Sequence, residues 1–413
     1  MIKVVQLQYS TASGGSSAWR LQRAFLDAGI ESSIISLQAD RVRDDKIRYL
    51  GFWSKLISRI DGKLQSFLTL PKLKDSGSFS FPILGTDVSE MEQVQNADYI
   101  YLHWILNGFL SLKSIEQLAK LNKPIIVFMH DMWPITGGCH YSLTCERYQQ
   151  GCDECPMFIT ETKNDFSKRE FKKKLKFYSK YNNLFFVSPS TWLYDCAKEA
   201  LLTKDKPLFY IPNILDNTVF KALDTSKAKQ ILNIDTDTTV IAFGAVSVDS
   251  SRKGWAYLQK ALEILKEKKY FEKVLILIFG SGNNSKMAEA IPFPVKFMGY
   301  LKDEYSKVLV YNAADVFIVP SLADNQPTTV QESLSCGTPV VGFNVGGIPD
   351  MIKHKENGYL ARYMDAEDIA AGIKFCCSEK LTGYMLPIFQ PAITIQKHID
   401  LFDYTKTIKH KQQ

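Results

Sequence analysis

The chain has 413 residues, 46% of them hydrophobic and 23% charged. That length predicts two or three domains with substantial cores, and the composition excludes a disordered, collagen-like or disulfide-stapled miniprotein. The 50 basic and 44 acidic residues give a net charge of only +6, whereas nucleic-acid binders concentrate Lys and Arg into a stripe.

No stretch approaches the ~18 uninterrupted apolar residues of a membrane span. The opening MIKVVQLQYS lacks the basic–apolar–small pattern of a secretory leader and points to a cytoplasmic chain. In the first half, IKVVQLQ, SSIISL, DYIYLHW, PIIVFMH, LFFVSP and LFYIP read as buried parallel strands, with helical patterns between them at 17–28, 111–121 and 190–201. In the second half TTVIAFGA, KVLILIFG, VKFMGY, DVFIVPS and TPVVGF repeat the alternation. Such βα repetition predicts parallel sheets covered on both faces by helices. The aperiodic IPNILDNTVFKAL at 211–223 marks the break, so each half has Rossmann size, and a cleft between the strand ends of the two halves is the expected place for chemistry.

The first strand is followed by Ser13-Gly14-Gly15-Ser16-Ser17 before a helix. Glycines there let backbone amides approach an anion at the helix start. The pattern is not G-x-G-x-x-G, which disfavours a nicotinamide cofactor. His130-Asp131 follows PIIVFM at a strand's carboxyl end. Cys139, Cys145, Cys152 and Cys155 then cluster with spacings x5, x6 and x2. Two readings stand side by side for them, a structural zinc site and a set of buried or redox-active thiols; four thiolates would leave no open position for a catalytic metal.

A basic run follows, with Lys163, Lys168, Arg169, Lys172, Lys173, Lys174, Lys176 and Lys180 interleaved with Phe166, Phe171, Leu175 and Tyr178. It reads as a solvated helix face or, more sharply, as a surface for anionic lipid headgroups. Segment 40–90, with FWSKLISRI and SFLTLPKL, is an apolar–basic mixture that contacts a lipid carrier or packs on the domain.

In the second half, a loop after Phe243-Gly244-Ala245 carries Arg252, Lys253 and Gly254 before a helix. Basic residues at a helix start oppose the macrodipole, and a bound phosphate would offset that cost. Gly280 ends the next strand in a turn that suits a base or ribose passing close to backbone. The richest region is 316–351, VFIVPSLADNQPTTVQESLSCGTPVVGFNVGGIPDM. Here a strand ends in Pro320-Ser321, Asp324 lies in a polar loop, the amides of Thr328 and Thr329 open a helix able to bind a diphosphate, and Glu332 stands one turn inside to accept ribose hydroxyls. The apolar pattern of 391–405 predicts a last helix, with the tail KTIKHKQQ frayed.

Asp324 and Glu332 separated by seven residues, then SLSCGTPVV and Gly346-Gly347-Ile348-Pro349, resemble the retaining GT-B-fold glycosyltransferase family 4. Gly14-Gly15, Arg252-Lys253-Gly254, Ile211-Pro212-Asn213 with Asp216 and Phe220, and YNAAD at 311–315 fall where that family has counterparts. Asp131-Met132-Trp133-Pro134 through Cys139-His140-Tyr141 resembles a subgroup from bacterial colanic-acid and capsule clusters. The resemblance implies an α/β fold of GT-B type, two Rossmann-like βαβ domains facing across a cleft, with the C-terminal helix crossing back to the first. The expected domains are 1–212 for the acceptor, 213–386 for the nucleotide sugar and 387–413 for the crossover helix and tail.

It further implies metal-independent transfer of a sugar from a UDP- or GDP-sugar, with retention, to a growing lipid-linked surface polysaccharide. The catalytic set is His130, Asp324 and Lys253; the donor set is Gly14, Gly15, Arg252, Lys253, Gly280, Thr328, Thr329 and Glu332. Two positions depart from the family: Asp324 is one methylene shorter than its usual Glu, and Ala245 stands where a basic residue is common. Implied partners are a nucleotide sugar, a glycan or polyprenyl-diphosphate-linked acceptor and an anionic membrane surface, with no nucleic acid; the implied location is cytoplasmic, peripheral on the inner face of the membrane. Competing readings are a nucleotide-sugar 2-epimerase or phosphorylase on the same fold, and a non-catalytic sugar-nucleotide-binding protein.

Overall fold

A computed structural model describes residues 1–11, 17–38, 44–69, 78–159, 165–244, 251–280 and 285–412. Gly14, Gly15, Lys163 and Ala245 lie outside the described residues. The chain divides into two compact units, Met1–Ile214 with Ala392–Gln413, and Leu215–Pro391.

The first unit holds β1 (Lys3–Ser10), β2 (Glu31–Gln38), β3 (Ile47–Tyr49), β4 (Tyr99–Leu102), β5 (Ile125–Phe128), β6 (Leu184–Ser188) and β7 (Leu208–Tyr210). They form one sheet in the order β3-β2-β1-β4-β5-β6-β7, parallel throughout. The second holds β8 (Thr239–Gly244), β9 (Val274–Phe279), β10 (Val295–Gly299), β11 (Val316–Val319), β12 (Val340–Phe343) and β13 (Gly358–Ala361). Its order is β10-β9-β8-β11-β12-β13, again parallel. Tyr99–Leu102, Ile125–Phe128, Val316–Val319 and Val340–Phe343 are buried at every residue, which is why these strands read as continuous apolar runs with no alternation. Both sheets are doubly wound, and in each the order reverses beside the unit's first strand, between β1 and β4 and between β8 and β11. Ligands of such sheets bind outside the strand carboxyl ends at this switch point.

The helix Pro391–Gln412 runs through the tail that its sequence predicts to be frayed. Its first-unit membership has a packing cause. Phe402 stacks on Tyr99 at 4.1 Å, and His398 Nδ1 lies 2.9 Å from Tyr101 Oη. Among the described residues no helix is long and apolar enough to cross a membrane.

The basic run forms the helix Phe166–Lys180, with Asp165 accepting from the Lys168 amide as its cap. Phe171, Phe177 and Tyr178 turn inward, while Lys168, Lys173 and Lys180 pair with Asp153, Glu170 and Glu116. Its apolar face belongs to the core. Lys174 also turns inward, donating to the carbonyls of Trp133 and Thr136 and lying 3.6 Å above the Trp133 ring. Burial lowers its pKa to about 7 against the opposing influence of Glu170, Cys152, Cys139 and Asp131. In the unfolded chain this amine titrates near ~10.4. From pH 7 to about 8.5 the unfolded state therefore holds more protons, and Lys174 makes stability rise with pH. Thermal unfolding at the two ends of that window should show a larger gain in wild type than in Lys174→Met; equal gains would contradict this.

Candidate active site

The second unit's switch point gathers the residues singled out at the ends of β8 and β11. A short 3-10 turn, Ser251–Lys253, lies between β8 and the next helix, and Gly254 in the left-handed region (φ 69°) starts that helix, Trp255–Glu267. This turn is fastened to the segment after β11: Leu322 N donates to Arg252 O at 2.7 Å, and Arg252 Nη1 donates to Ala323 O at 2.6 Å. Lys253 Nζ donates to Asp324 Oδ2 at 2.6 Å, Arg252 Nη1 lies 3.5 Å from the same oxygen, and Ser321 Oγ donates to it at 3.2 Å. Burial acts to raise the Asp324 pKa, but Lys253 and Arg252 with these hydrogen bonds outweigh it and hold the carboxyl below its usual value. Asp324 is therefore a buried carboxylate among cations.

Gly346 and Gly347 close this loop from behind. Gly347 N donates to Asp324 O at 3.1 Å, and a Cβ on Gly346 (φ 59°) would stand 2.0 Å from that same oxygen. Only glycine fits a backbone approach this close. The helix Thr328–Ser335 follows, with Pro327 as N-cap residue. Proline brings no capping side chain, so the helix start presents half-buried Thr328 and Thr329 amides that suit an anion. One turn on, buried Glu332 accepts from Tyr311 Oη at 2.9 Å. Gly280 lies at the carboxyl end of β9 with φ 96°, its amide donating to Gly299 O at 2.8 Å.

In the first unit, His130 follows β5 and is half-buried. His130 Nε2 lies 3.0 Å from His103 Nδ1, and His103 Nε2 lies 2.8 Å from Gln6 Oε1. A carbonyl oxygen only accepts, so His103 carries its proton on Nε2 and accepts through Nδ1 from His130 Nε2–H. Burial lowers His130 to about 4, with Asp131 opposing, and pushes His103 well down. Both rings are neutral at pH 7, and Nδ1 is the acceptor nitrogen of His130. Beside them Asp131 Oδ2 lies 2.6 Å from His140 Nδ1, and His140 Nε2 lies 2.8 Å from Ser80 Oγ. Together with the Trp133 amide on Asp131 Oδ1, these contacts fix the loop after β5.

Residues 237–379 match the family described as "Glycosyl transferases group 1". An uncharacterized glycosyltransferase of Haemophilus influenzae is 31% identical over 187 residues, 43% of this chain and 51% of that protein. The chain spans about half the length of the curated relatives it matches, or less. Two solved structures extend the likeness over nearly the whole chain. Sucrose-phosphate synthase from Thermosynechococcus elongatus aligns over 98% of this chain and 100% of its own, with a TM-score of 0.63 and 15% identity. HepE from Anabaena, solved with UDP and glucose, aligns over 98% and 100%, with a TM-score of 0.59 and 14% identity. The fold is the GT-B class of two Rossmann-like units.

Of the two readings of the cysteines, the described geometry favours thiols over a zinc site. Cys139, Cys145, Cys152 and Cys155 are free thiols that line one small cavity. However, among the described residues no three His, Cys, Asp or Glu side chains are arranged to hold a metal ion. Burial pushes Cys139, Cys152 and Cys155 up to about 12. Sequence reasoning also missed Gln6 and His103. A signal for Gln6 existed: a fully buried amide inside the apolar strand KVVQLQYS must find a polar partner.

Proposed function

We propose that this chain is a glycosyltransferase that moves a sugar from a nucleoside-diphosphate sugar onto a glycan acceptor, with retention of configuration. The observation that carries this reading is the Arg252–Lys253 turn held against Asp324 at the β8/β11 switch point, next to the start of the Thr328–Ser335 helix. Two cations and two helix amides at one strand end suit a diphosphate, and Asp324 suits the hydroxyls of the attached sugar. Glu332 suits the ribose. HepE, solved with UDP and glucose, supports UDP as the nucleotide.

As transfer proceeds, the bond from the anomeric carbon to the β-phosphate oxygen breaks and its electron pair stays on the diphosphate. The acceptor oxygen bonds that carbon from the same face and gives up its proton to the departing phosphate. Charge therefore grows on the leaving group, where Arg252, Lys253 and the Thr328 and Thr329 amides act most strongly. His130, neutral and oriented through His103, is the first-unit group assigned to the sugar. The resemblance of 131–141 to the capsule-cluster subgroup supports a lipid-linked surface polysaccharide as acceptor, and with it a site of action at the inner membrane face.

Thermal unfolding with UDP, GDP and their sugars tests the donor assignment. A nucleotide at one hundred times its Kd stabilises by about 2.7 kcal/mol, and Glu332→Ala should abolish most of that rise. A sugar-nucleotide 2-epimerase would instead isomerise the donor incubated alone. If no nucleotide raises the unfolding temperature, the reading fails.

A further inference from the structure

The helix Phe52–Thr69 is built inside out. Its buried positions are polar: Ser58, Asp61 and Gln65, of which Asp61 is 0% exposed. They fasten the helix to the first unit. Ser58 Oγ donates to Asn107 O at 2.6 Å, and Asp61 Oδ1 accepts the amides of Ile83 and Leu84 at 3.0 and 2.8 Å. Gln65 Oε1 accepts the Phe81 amide at 3.1 Å. Gly108 lets the backbones meet, since a Cβ there would come 2.6 Å from Ser58 Cα. With this face locked by hydrogen bonds, the apolar side has to point away from the protein.

That outer side carries Trp53, Ile60, Leu64 and Phe67, at spacings of seven, four and three, which is one helical stripe. Trp53 is 74% and Phe67 79% exposed. Exposed Lys55, Arg59 and Lys63 form a row alongside at four-residue steps, and the helix's one acid, Asp61, is buried on the opposite side. An ordinary surface helix has these faces the other way round.

We infer that the outer face of Phe52–Thr69 is a docking surface for a bilayer bearing anionic headgroups, with the apolar stripe in the headgroup boundary and the three cations on the lipid phosphates. Charge complementarity selects this occupant: a cation row without an exposed acid in its own helix suits a surface of one sign, and aromatic rings favour the membrane interface. The inference does not depend on the transfer reaction, because binding is read without donor or acceptor.

Cosedimentation of the full chain with phosphatidylcholine–phosphatidylglycerol vesicles tests it, against phosphatidylcholine alone. Wild type should bind the anionic vesicles and lose binding at high salt. The triple variant Lys55→Gln, Arg59→Gln, Lys63→Gln should bind about a hundredfold more weakly. Trp53→Ser with Phe67→Ser should weaken binding about tenfold or more. All five side chains are exposed, so unfolding temperatures should match wild type. Equal binding of wild type and both variants overturns the inference. So does failure of wild type to bind anionic vesicles, and so does a concentration-dependent dimer, lost in the Trp53/Phe67 variant, without vesicle binding; that result would give the face to a second copy of the chain.

Discussion

Lys253→Ala should lower kcat/KM for the proposed nucleotide-sugar donor by about 10²–10³, the usual effect of removing one preorganised group that faces developing charge. Lys253 Nζ sits 2.6 Å from Asp324 Oδ2, so its position is fixed before any phosphate arrives. Arg252 cannot replace it: its guanidinium is already committed to Ala323 O at 2.6 Å and reaches Asp324 only at 3.5 Å. Lys253→Arg is a sharper control than it looks. A planar fork puts charge in a different place from a compact ammonium, so most of the loss should persist. Asp324 also loses its nearest cation in the alanine variant, which costs about 1–3 kcal/mol for a buried carboxylate left with weaker partners. The unfolding temperature should therefore fall by a few degrees while the far-ultraviolet dichroism stays unchanged. Steady-state release of nucleoside diphosphate measures the kinetic effect. A variant within tenfold of wild type would remove Lys253 from the leaving-group site.

The second unit's fold and candidate residues were legible in the sequence because they sit on short, local patterns. A buried strand followed by a turn fixes where Asp324 falls, and Glu332 follows one helical turn inside Thr328–Ser335 by periodicity alone. The Arg252–Lys253 turn, 71 residues before Asp324, could be assigned to the same place only because both follow strands of one doubly wound sheet. In the first unit the decisive contacts span 97 residues from Gln6 to His103 and 27 from His103 to His130. No local pattern encodes them, and His103 reads as the polar end of a strand. The helix Phe52–Thr69 fails for another reason. Periodicity shows that it has two faces but not which one turns inward; that was decided by Asp61, through the Ile83 and Leu84 amides. The cysteine spacing likewise brings four thiols round one cavity, which no local pattern encodes.

Gly254→Ala should be the most damaging single-methyl change in the second unit, lowering the unfolding temperature by on the order of 10 °C and removing the nucleotide-induced rise. Gly254 has φ 69°, a region that costs a residue with a Cβ about 1–2 kcal/mol. Strain is the smaller part. A Cβ there would stand 1.8 Å from Pro320 O and 2.8 Å from Pro320 C. Both are backbone atoms at the end of β11, so no side-chain rotation relieves the contact. The Ser251–Lys253 turn and the segment after β11 must separate, and the bond from Leu322 N to Arg252 O at 2.7 Å and the Lys253–Asp324 pair at 2.6 Å lie across that gap. Gly299 provides the control. It has φ 64°, but a Cβ there would meet nothing within 4 Å, so Gly299→Ala should cost only the backbone term of about 1–2 kcal/mol. Thermal unfolding of the two variants, each with and without UDP, separates the contributions. If Gly254→Ala loses no more stability than Gly299→Ala and still responds to UDP, the close approach of turn and strand end is not what holds the two cations against Asp324.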